Sequence, residues 1–372
     1  MKVALVHEFL NQFGGGERVL EAIHELWPEA AVYTVLHDPS KLGQRFAGWD
    51  VRTPRATRLP LASRLYKWFT FLYPLYFENL DLSEYDIVIS SSSSFAKGVI
   101  TTPRQLHISY IHTPPRFLYG YQMEVSRHDK WYWKPILGPI DHWLRLWDFN
   151  AAQRPDFLVA NSQVTARRIK KFYGRQATVI FPPVDVGGDR GDRGDKGEYF
   201  LVVARLSRYK NVDLAIEACG RLNLPLKVVG TGKEETALRQ AASRYPKVEM
   251  LGFVSDEELS GLYANCRALI SPVSDEEFGI VAVEAMAHGK PVIALRGGGM
   301  DETVIDGKTG LFFDQPKVGS LVEVIKRSED SKFRPADCVR QAQEFSKERF
   351  QEEFRKFVED RWSGRDPRYQ KG

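Results

Sequence analysis

Residues 274–289 read SDEEFGIVAVEAMAHG and set two carboxylates, Glu276 and Glu284, eight positions apart around a Phe278-Gly279 step. After the glycine, the run 280–287 is apolar enough to be a helix packed inside a domain, closed by Gly289 and Pro291. Glu284 on such a helix sits where an unpaired carboxylate is costly, so a polar group should meet it. A helix starting near Gly279 points its free amides toward Glu276 and makes a place for an anion. Eight helical residues span roughly 12 Å, which suits two parts of one long ligand. A glycosidase pair flanks one bond at about 5 to 9.5 Å, and this spacing argues against it. A plainer alternative also fits: Glu284 meets a core arginine and Glu276 caps the helix.

Outward from that segment, 372 residues are too many for one ordinary core and fit two domains of about 150 to 200 residues. An apolar content of 43% with 27% charged residues describes a soluble globular chain. Cys219, Cys266 and Cys338 are widely spaced, with no CxxC or CxH pattern, so a reducing compartment and no structural zinc are expected. The start, MKVALVHEF, has an apolar run at 3–6 stopped by His7 and Glu8, which reads as a buried strand and is too short for a secretory signal. No stretch reaches the length of a membrane span.

The net charge of +4 is uneven: residues 1–182 hold 22 Lys/Arg against 16 Asp/Glu, and the remainder 30 against 32. Within the first half, 51–77 has no acid and sets Arg52, Arg55, Arg58, Arg64 and Lys67 beside Trp68, Phe69, Phe71, Tyr73 and Tyr76. Bases beside aromatics describe an interfacial segment. So modest a charge, gathered in one stretch, argues against nucleic-acid binding.

Short β-branched runs alternate with helical ones, as parallel strands buried on both faces do. They fall at 2–6, 31–36, 85–89, 107–111, 155–160 and 177–181, then at 199–204, 224–229, 248–253, 268–272, 291–295 and 310–313. Between the two sets, 184–197 (VDVGGDRGDRGDKG) is almost all glycine and charge, and reads as a solvated linker in which the RGD triplets carry no adhesion role. The tail 345–362 spaces Phe350, Phe354, Phe357 and Val358 along one helix face.

Several loops follow predicted strand ends, where such sheets bind ligands. Gly14-Gly15-Gly16-Glu17-Arg18 opens a helix expected to run to about Leu26, and glycine there lets amides approach a phosphate. As a dinucleotide fingerprint it is poor, because Val19 stands at the third glycine position, although Asp38 lies at the acid spacing. Arg205 ends the first strand of the second half, and Lys210-Asn211 follow it. These two cations could neutralise a diphosphate. His112 ends a strand in SYIHTPPRFLYGY and is either a ligand group or a turn histidine.

The acid, seven residues and second acid, with Phe278-Gly279 after the first and Glu284-Ala285-Met286-Ala287 at the second, resembles the signature of the retaining nucleotide-sugar glycosyltransferases of the GT-B fold, family 4. The resemblance implies an α/β chain of two facing Rossmann-like domains with parallel sheets. Residues 1–183 would bind the acceptor, 184–197 would be the linker, 198–344 would hold the nucleotide-sugar, and 345–372 would cross back as a helix. Glu276 would bind donor-sugar hydroxyls and Glu284 the ribose, with Phe278, Gly279 and Ile280 along the donor. The loop at Gly15 and Gly16 is similar to the Gly-Gly-x-Glu-Arg turn that faces the diphosphate. RLSRYKN at 205–211 is similar to the Arg-Leu-x-x-x-Lys-Asn pattern, with Ala204 in place of the usual preceding glycine. Arg205 and Lys210 would stabilise the leaving diphosphate without a metal. Gly230 and Gly232 would admit the nucleotide, Phe253 and Val254 resemble the base-contacting turn, and His112 matches the histidine near the reacting sugar. The turn GGGMDET at 297–303 resembles Gly-Gly-x-x-Glu with one residue added, which leaves the role of Glu302 open.

The stretch 296–313 is most similar to bacterial mannosyltransferases of O-antigen and related polysaccharides. The expectation is therefore retaining hexosyl transfer, favoured from GDP-mannose with a UDP-sugar as the alternative, needing no cofactor and no metal. The acceptor expected is a lipid-linked glycan, reached by a cytoplasmic chain lying peripherally on an anionic membrane face through Arg55, Arg58, Arg64, Lys67 and Trp68. Phe117, Tyr119, Tyr121, Trp131, Trp133, Trp143 and Trp147 extend that aromatic region, or else are core. A nucleotide-sugar epimerase, an NAD-dependent oxidoreductase and a nucleotide-regulated membrane adaptor are the rival readings.

Overall fold

Apolar runs that end in polar residues become the strands of two parallel sheets in the computed structural model, which describes residues 1–43, 45–54, 70–120, 134–187 and 197–364. Of these, 1–120, 134–183 and 347–364 form one compact unit, and 184–187 and 197–346 form the other.

In the first unit the strands are β1 (Val3–His7), β2 (Phe9–Leu10), β3 (Ala31–Tyr33), β4 (Leu36–His37), β5 (Val51–Arg52), β6 (Ile87–Ser92), β7 (Leu106–Ile111), β8 (Phe157–Ala160) and β9 (Thr178–Val179). Seven of them make a sheet in the order β5-β3-β1-β6-β7-β8-β9, and β2 pairs with β4 apart from it. The second unit has β10 (Tyr199–Val203), β11 (Leu226–Val229), β12 (Val248–Gly252), β13 (Cys266–Ser271), β14 (Val292–Leu295) and β15 (Gly310–Phe313), in the order β12-β11-β10-β13-β14-β15. Every pairing is parallel. Each large sheet has one point where the winding reverses, between β1 and β6 and between β10 and β13. The loops leaving those strands diverge there and open a crevice at their carboxyl ends.

The structure differs from the sequence expectation where side chains redirect the backbone. The run 31–36 is not one strand, because Val35 N donates to Glu8 O at 3.2 Å and Thr34 Oγ donates to the same carbonyl at 3.0 Å, which turns the chain onto β2. The strand expected at 85–89 instead begins at Ile87 and runs through Ser90, Ser91 and Ser92. These buried serines find partners in His107, His7, His112 and Glu8, so their polarity does not end the strand. The helix expected to reach Leu26 is Gly15–His24.

Two of the aromatics left open between acceptor region and core are settled as well. Trp147 is core: it is buried, its Nε1 donates to Glu78 Oε1 at 2.7 Å, and its ring fills the space beside Gly98. Tyr119 stacks on Phe172 and donates to Asp148, itself in a buried ion pair with Lys97. Trp143 remains exposed. Arg55, Arg58, Arg64, Lys67, Trp68, Tyr121, Trp131, Trp133 and most of the 184–197 linker lie outside the described residues.

The last helix, Lys347–Ser363, belongs to the first unit. Phe350, Phe354, Phe357 and Val358 enter the core that also holds Leu20, Ile23 and Tyr110, and Gln351 Nε2 donates to Ala22 O at 3.1 Å. Phe354 is fully buried beside Trp27, Tyr110 and Phe350. Phe354→Ala should therefore destabilise this unit by about 3–5 kcal/mol. Urea unfolding checks this, and a loss under about 1 kcal/mol would mean the helix is not needed for the unit.

Candidate functional site

In the second unit, Arg205 lies two residues past the end of β10 and is exposed. A single turn of 3-10 helix, Arg208–Lys210, ends at Asn211 in the left-handed region (φ 49°). The Asn211 side-chain amide donates to Pro272 O at 3.0 Å and to Ser274 Oγ at 2.8 Å, which fastens the loop after β10 to the loop after β13. Lys210 Nζ consequently lies 2.6 Å from Glu276 Oε2. Burial works against the Lys210 charge, but Glu276 and then Tyr209 outweigh it, and its pKa lies above the ordinary lysine value. This pair is the point where the two loops of the switch point meet.

Gly279 (φ 92°) turns the chain into the helix Ile280–Ala287, and a Cβ on it would come within 2.7 Å of Met300 Cε. The glycines after β14 pack on the same segment, backbone against backbone. Gly299 N donates to Glu276 O at 2.8 Å, and a Cβ on Gly298 would fall 2.3 Å from that oxygen. Phe278 is buried with its ring edge-on to Phe345.

Glu284 is buried, and the polar partner expected for it is a tyrosine: Tyr263 OH donates to its Oε2 at 2.8 Å. Tyr263 in turn stacks on His288. With His288 Nδ1 2.8 Å from Glu284 O and Nε2 2.9 Å from Ser260 Oγ, the imidazole donates from Nδ1 and accepts at Nε2. Nothing in the spacing of Tyr263, 21 residues upstream of Glu284, points to this contact.

Gly230 (φ 126°) and Gly232 let two loops close on each other, because Cβ atoms there would lie 1.9 Å from Ala204 O and 2.1 Å from Leu206 O. Beyond β12, Phe253 is 85% exposed, an aromatic face offered to solvent, with Val254 half-buried beside it.

In the first unit, Gly15 and Gly16 form the first turn of the helix Gly15–His24, whose leading amides have no intrahelical carbonyl. Glu17 already takes one amide of this end, Gly14 N, at 2.8 Å. Gly16 faces His112, and a Cβ there would lie 3.5 Å from His112 Nε2. Ser91 Oγ sits 2.8 Å from His112 Nε2 and 3.1 Å from His7 Nδ1. Desolvation, with the neighbouring His7 adding to it, lowers the His112 pKa to about 3.

Glu8, read from sequence only as a strand end, anchors the loop after β6. Its Oε1 accepts from Ser92 Oγ at 3.1 Å and from the amides of Ser93 (3.0 Å), Ser94, Phe95 (2.6 Å) and Ala96 (3.4 Å). A consecutive run of amides around one carboxylate is visible only once the chain is folded.

The structure thus gathers Arg205, Lys210, Glu276, Phe278, Gly279, Ile280, Glu284, Gly230, Gly232, Phe253 and Val254 in one unit, and Gly15, Gly16 and His112 in the other. Among the described residues no group of three or more His, Cys, Asp or Glu side chains is arranged to hold a metal ion.

Two parallel, doubly wound sheets of this order in one chain define the GT-B fold, and solved structures share it along nearly the whole chain. HepE of Anabaena in complex with UDP is 20% identical with a TM-score of 0.72, over 97% of this chain and 100% of that one. The sucrose-phosphate synthase of Thermosynechococcus elongatus is 17% identical with a TM-score of 0.70, over 97% and 100%.

Residues 13–187 match the family described as Glycosyltransferase Family 4, and 189–345 match Glycosyl transferases group 1. The chain belongs to the GT-B glycosyltransferases that these two domains make up. An uncharacterized glycosyltransferase of Methanocaldococcus jannaschii is 36% identical over 34% of this chain and 36% of its own length. The alpha-1,3/1,6-mannosyltransferase ALG2 of Dictyostelium discoideum is 35% identical over 30% and 33%. A D-inositol 3-phosphate glycosyltransferase of Nocardioides is 29% identical over 51% and 50%. The chain spans about a third to a half of the length of these curated relatives.

The two desolvated histidines of β7 and the loop that leaves it make a pH prediction. His107, desolvated and near Arg175 and Arg154, and His112 both have folded pKa values of about 3, below the ~6.5 of a free histidine. The unfolded chain binds the extra protons, so their stabilisation is complete above about pH 6.5 and is lost as the pH falls from there toward the folded value. At pH 5 the first unit should be less stable than at pH 7.5 by roughly 1–2 kcal/mol per histidine, and His107→Gln should shrink that difference. Equal urea midpoints for wild type at the two pH values would count against it.

Proposed function

We propose that this chain is a retaining hexosyltransferase that moves a sugar from a nucleoside diphosphate to a lipid-linked glycan, with GDP-mannose as the favoured donor. The observation that carries the reading is the Lys210–Glu276 pair, with its lysine in the loop that also holds Arg205 and its glutamate ahead of the Gly279-capped helix that bears Glu284. A nucleotide-sugar has a part for each of these groups. The diphosphate goes to Lys210 and Arg205, where charge grows as the bond from the anomeric carbon to the phosphate oxygen breaks. The sugar hydroxyls go to Glu276, and the ribose to Glu284, whose orientation Tyr263 holds. Phe253 supplies an aromatic face for the base.

The acceptor oxygen bonds to the anomeric carbon on the face the phosphate leaves, and its proton passes to the departing phosphate oxygen. This balance needs no covalent enzyme intermediate and no metal. Mannose is supported by the resemblance at 296–313 and by the likeness of 30% of the chain to a mannosyltransferase. HepE, solved with UDP-glucose, keeps a uridine donor as the second reading.

A binding and slow-hydrolysis panel with GDP-mannose, GDP-fucose, UDP-glucose, UDP-N-acetylglucosamine and NAD, run with and without EDTA, tests the donor. GDP-mannose should bind selectively and turn over in EDTA, and Glu284→Ala and Lys210→Ala should each weaken binding by about tenfold or more, the loss of a charged hydrogen bond. Selectivity for a UDP-sugar would replace the donor, and binding of NAD alone would remove the assignment.

The lipid-linked acceptor is supported by Phe71, Leu72, Leu75, Trp143, Leu146 and Phe149, all large apolar side chains left exposed on the first unit, and by the acid-free basic stretch at 51–77. Among the described residues no helix is long and apolar enough to cross a membrane, so the contact proposed is peripheral, on the cytoplasmic face. The protein should sediment with anionic vesicles in low salt and be released by salt, because each surface cation contributes only about 1 kcal/mol. Retention by neutral vesicles alone, or by none, would remove the membrane part of the reading.

A further inference from the structure

Three side chains of the second unit make a frame around Glu284. The helix Asp256–Asn265 sets Ser260 and Tyr263 three residues apart, so both face one neighbour, the end of the helix Ile280–Ala287. Tyr263 OH donates to Glu284 Oε2 at 2.8 Å. Ser260 Oγ lies 2.9 Å from His288 Nε2, and His288 Nδ1 donates to Glu284 O at 2.8 Å. The tyrosine and histidine rings stack with centroids 5.3 Å apart, and both residues are buried. Glu284 is therefore gripped twice, at its carboxylate and at its own main chain. The gripping helix is fixed in turn: Ser255 and Glu258 cap its start, and Tyr199 OH, from β10, donates to Leu262 O at 3.0 Å.

We propose that Tyr263, with His288 and Ser260 behind it, is a positioning residue that sets the Glu284 carboxylate for the hydroxyls of a ribose and makes the site select ribonucleotides over deoxyribonucleotides. A ribose at Glu284 rests on the proposed transferase reading, whereas the frame does not. The identity of the partner carries the argument. A core arginine would answer the burial of Glu284 equally well, but it would take both carboxylate oxygens in a bidentate pair. A phenol has one proton to give, and a carboxylate has about four acceptor positions, so the bond from Tyr263 orients the group and leaves acceptor capacity for a sugar diol. The phenol is also neutral, so the carboxylate is held without its charge being offset.

Orientation has a consequence for selectivity. A glutamate that a ligand must itself fix loses rotamer freedom on binding, and here Tyr263 has fixed it beforehand. A buried carboxylate held in this way cannot swing out to water when the ligand lacks its hydroxyls. Such a ligand leaves hydrogen bonds of a buried charge unmade and is rejected for that reason.

The test is a calorimetric titration of the whole chain with GDP and 2′,3′-dideoxy-GDP, and with the corresponding uridine pair, read on the base that binds more tightly. In the wild-type protein the dideoxy form should bind roughly tenfold to hundredfold more weakly. Tyr263→Phe removes one oxygen and keeps the ring on His288. It should weaken the ribonucleotide by about threefold to tenfold and leave the dideoxy form nearly unchanged, so that the ratio narrows. Ser260→Ala should narrow it by about twofold to threefold. A merely structural tyrosine would weaken both forms alike, so a wild-type ratio retained in Tyr263→Phe overturns the positioning role alone. If Tyr263→Phe does not fold, Ser260→Ala decides, and an unchanged ratio there overturns it. Equal affinities for the two forms in the wild-type protein would remove the ribose from Glu284, and the donor placement together with the selectivity.

Discussion

The Lys210–Glu276 ion pair is the contact on which the second unit's site depends. It bridges the loops that leave β10 and β13, the two strands between which the winding reverses, and both partners are more than four-fifths buried. The Glu276 carboxylate favours the charged lysine against the cost of burial, and the raised lysine pKa reflects this. Gly298 and Gly299 then close on the backbone of Glu276, Glu277 and Phe278, with contacts too tight for a Cβ. Three loops from three strands thereby meet at one residue, Glu276. A site assembled in this way is stiff before ligand arrives, which is the condition for electrostatic stabilisation of a leaving group.

The first unit meets the same physical requirement with different residues. Parallel strands converge on carboxyl ends whose backbone groups lose their sheet partners, and buried polar side chains must satisfy them. Glu8 answers with one oxygen surrounded by the amides after β6, while Ser90, Ser91 and Ser92 extend that strand by pairing with histidines and with Glu8. The polarity of these strand ends is thus part of what holds the fold, and it is also what gives His112 its orientation.

Much of the architecture was legible in the chain because doubly buried strands write themselves as short apolar runs, and the twelve runs fall on all eleven strands of three residues or more and on the two-residue β9. What was not legible has a common cause. The split of 31–36 into β3 and β4 depends on Glu8 O, more than twenty residues away in sequence, and the length of β6 depends on histidines from other strands. The two-residue strands β2 and β5 carry too few residues to show a period. At the site, Glu276, Glu284, Arg205 and Lys210 stood out as charges in apolar or strand-end settings, whereas Tyr263, Asn211, Glu8 and Ser91 did not, because each acts through a partner distant in sequence. Trp147 and Tyr119 were ambiguous for the same reason: an aromatic reads alike in sequence whether it faces a ligand or Gly98.

The sequence by itself determined the parallel α/β class, the two-part organisation and the spacing of the acids around Gly279, since these follow from hydrophobic period, glycine placement and distance along one chain. Tertiary structure decided which charges pair and which polar groups are orphaned and rescued. Those are properties of atoms brought within about 3 Å from separate strands, and hydrogen bonding depends on that distance and angle. No local pattern encodes them.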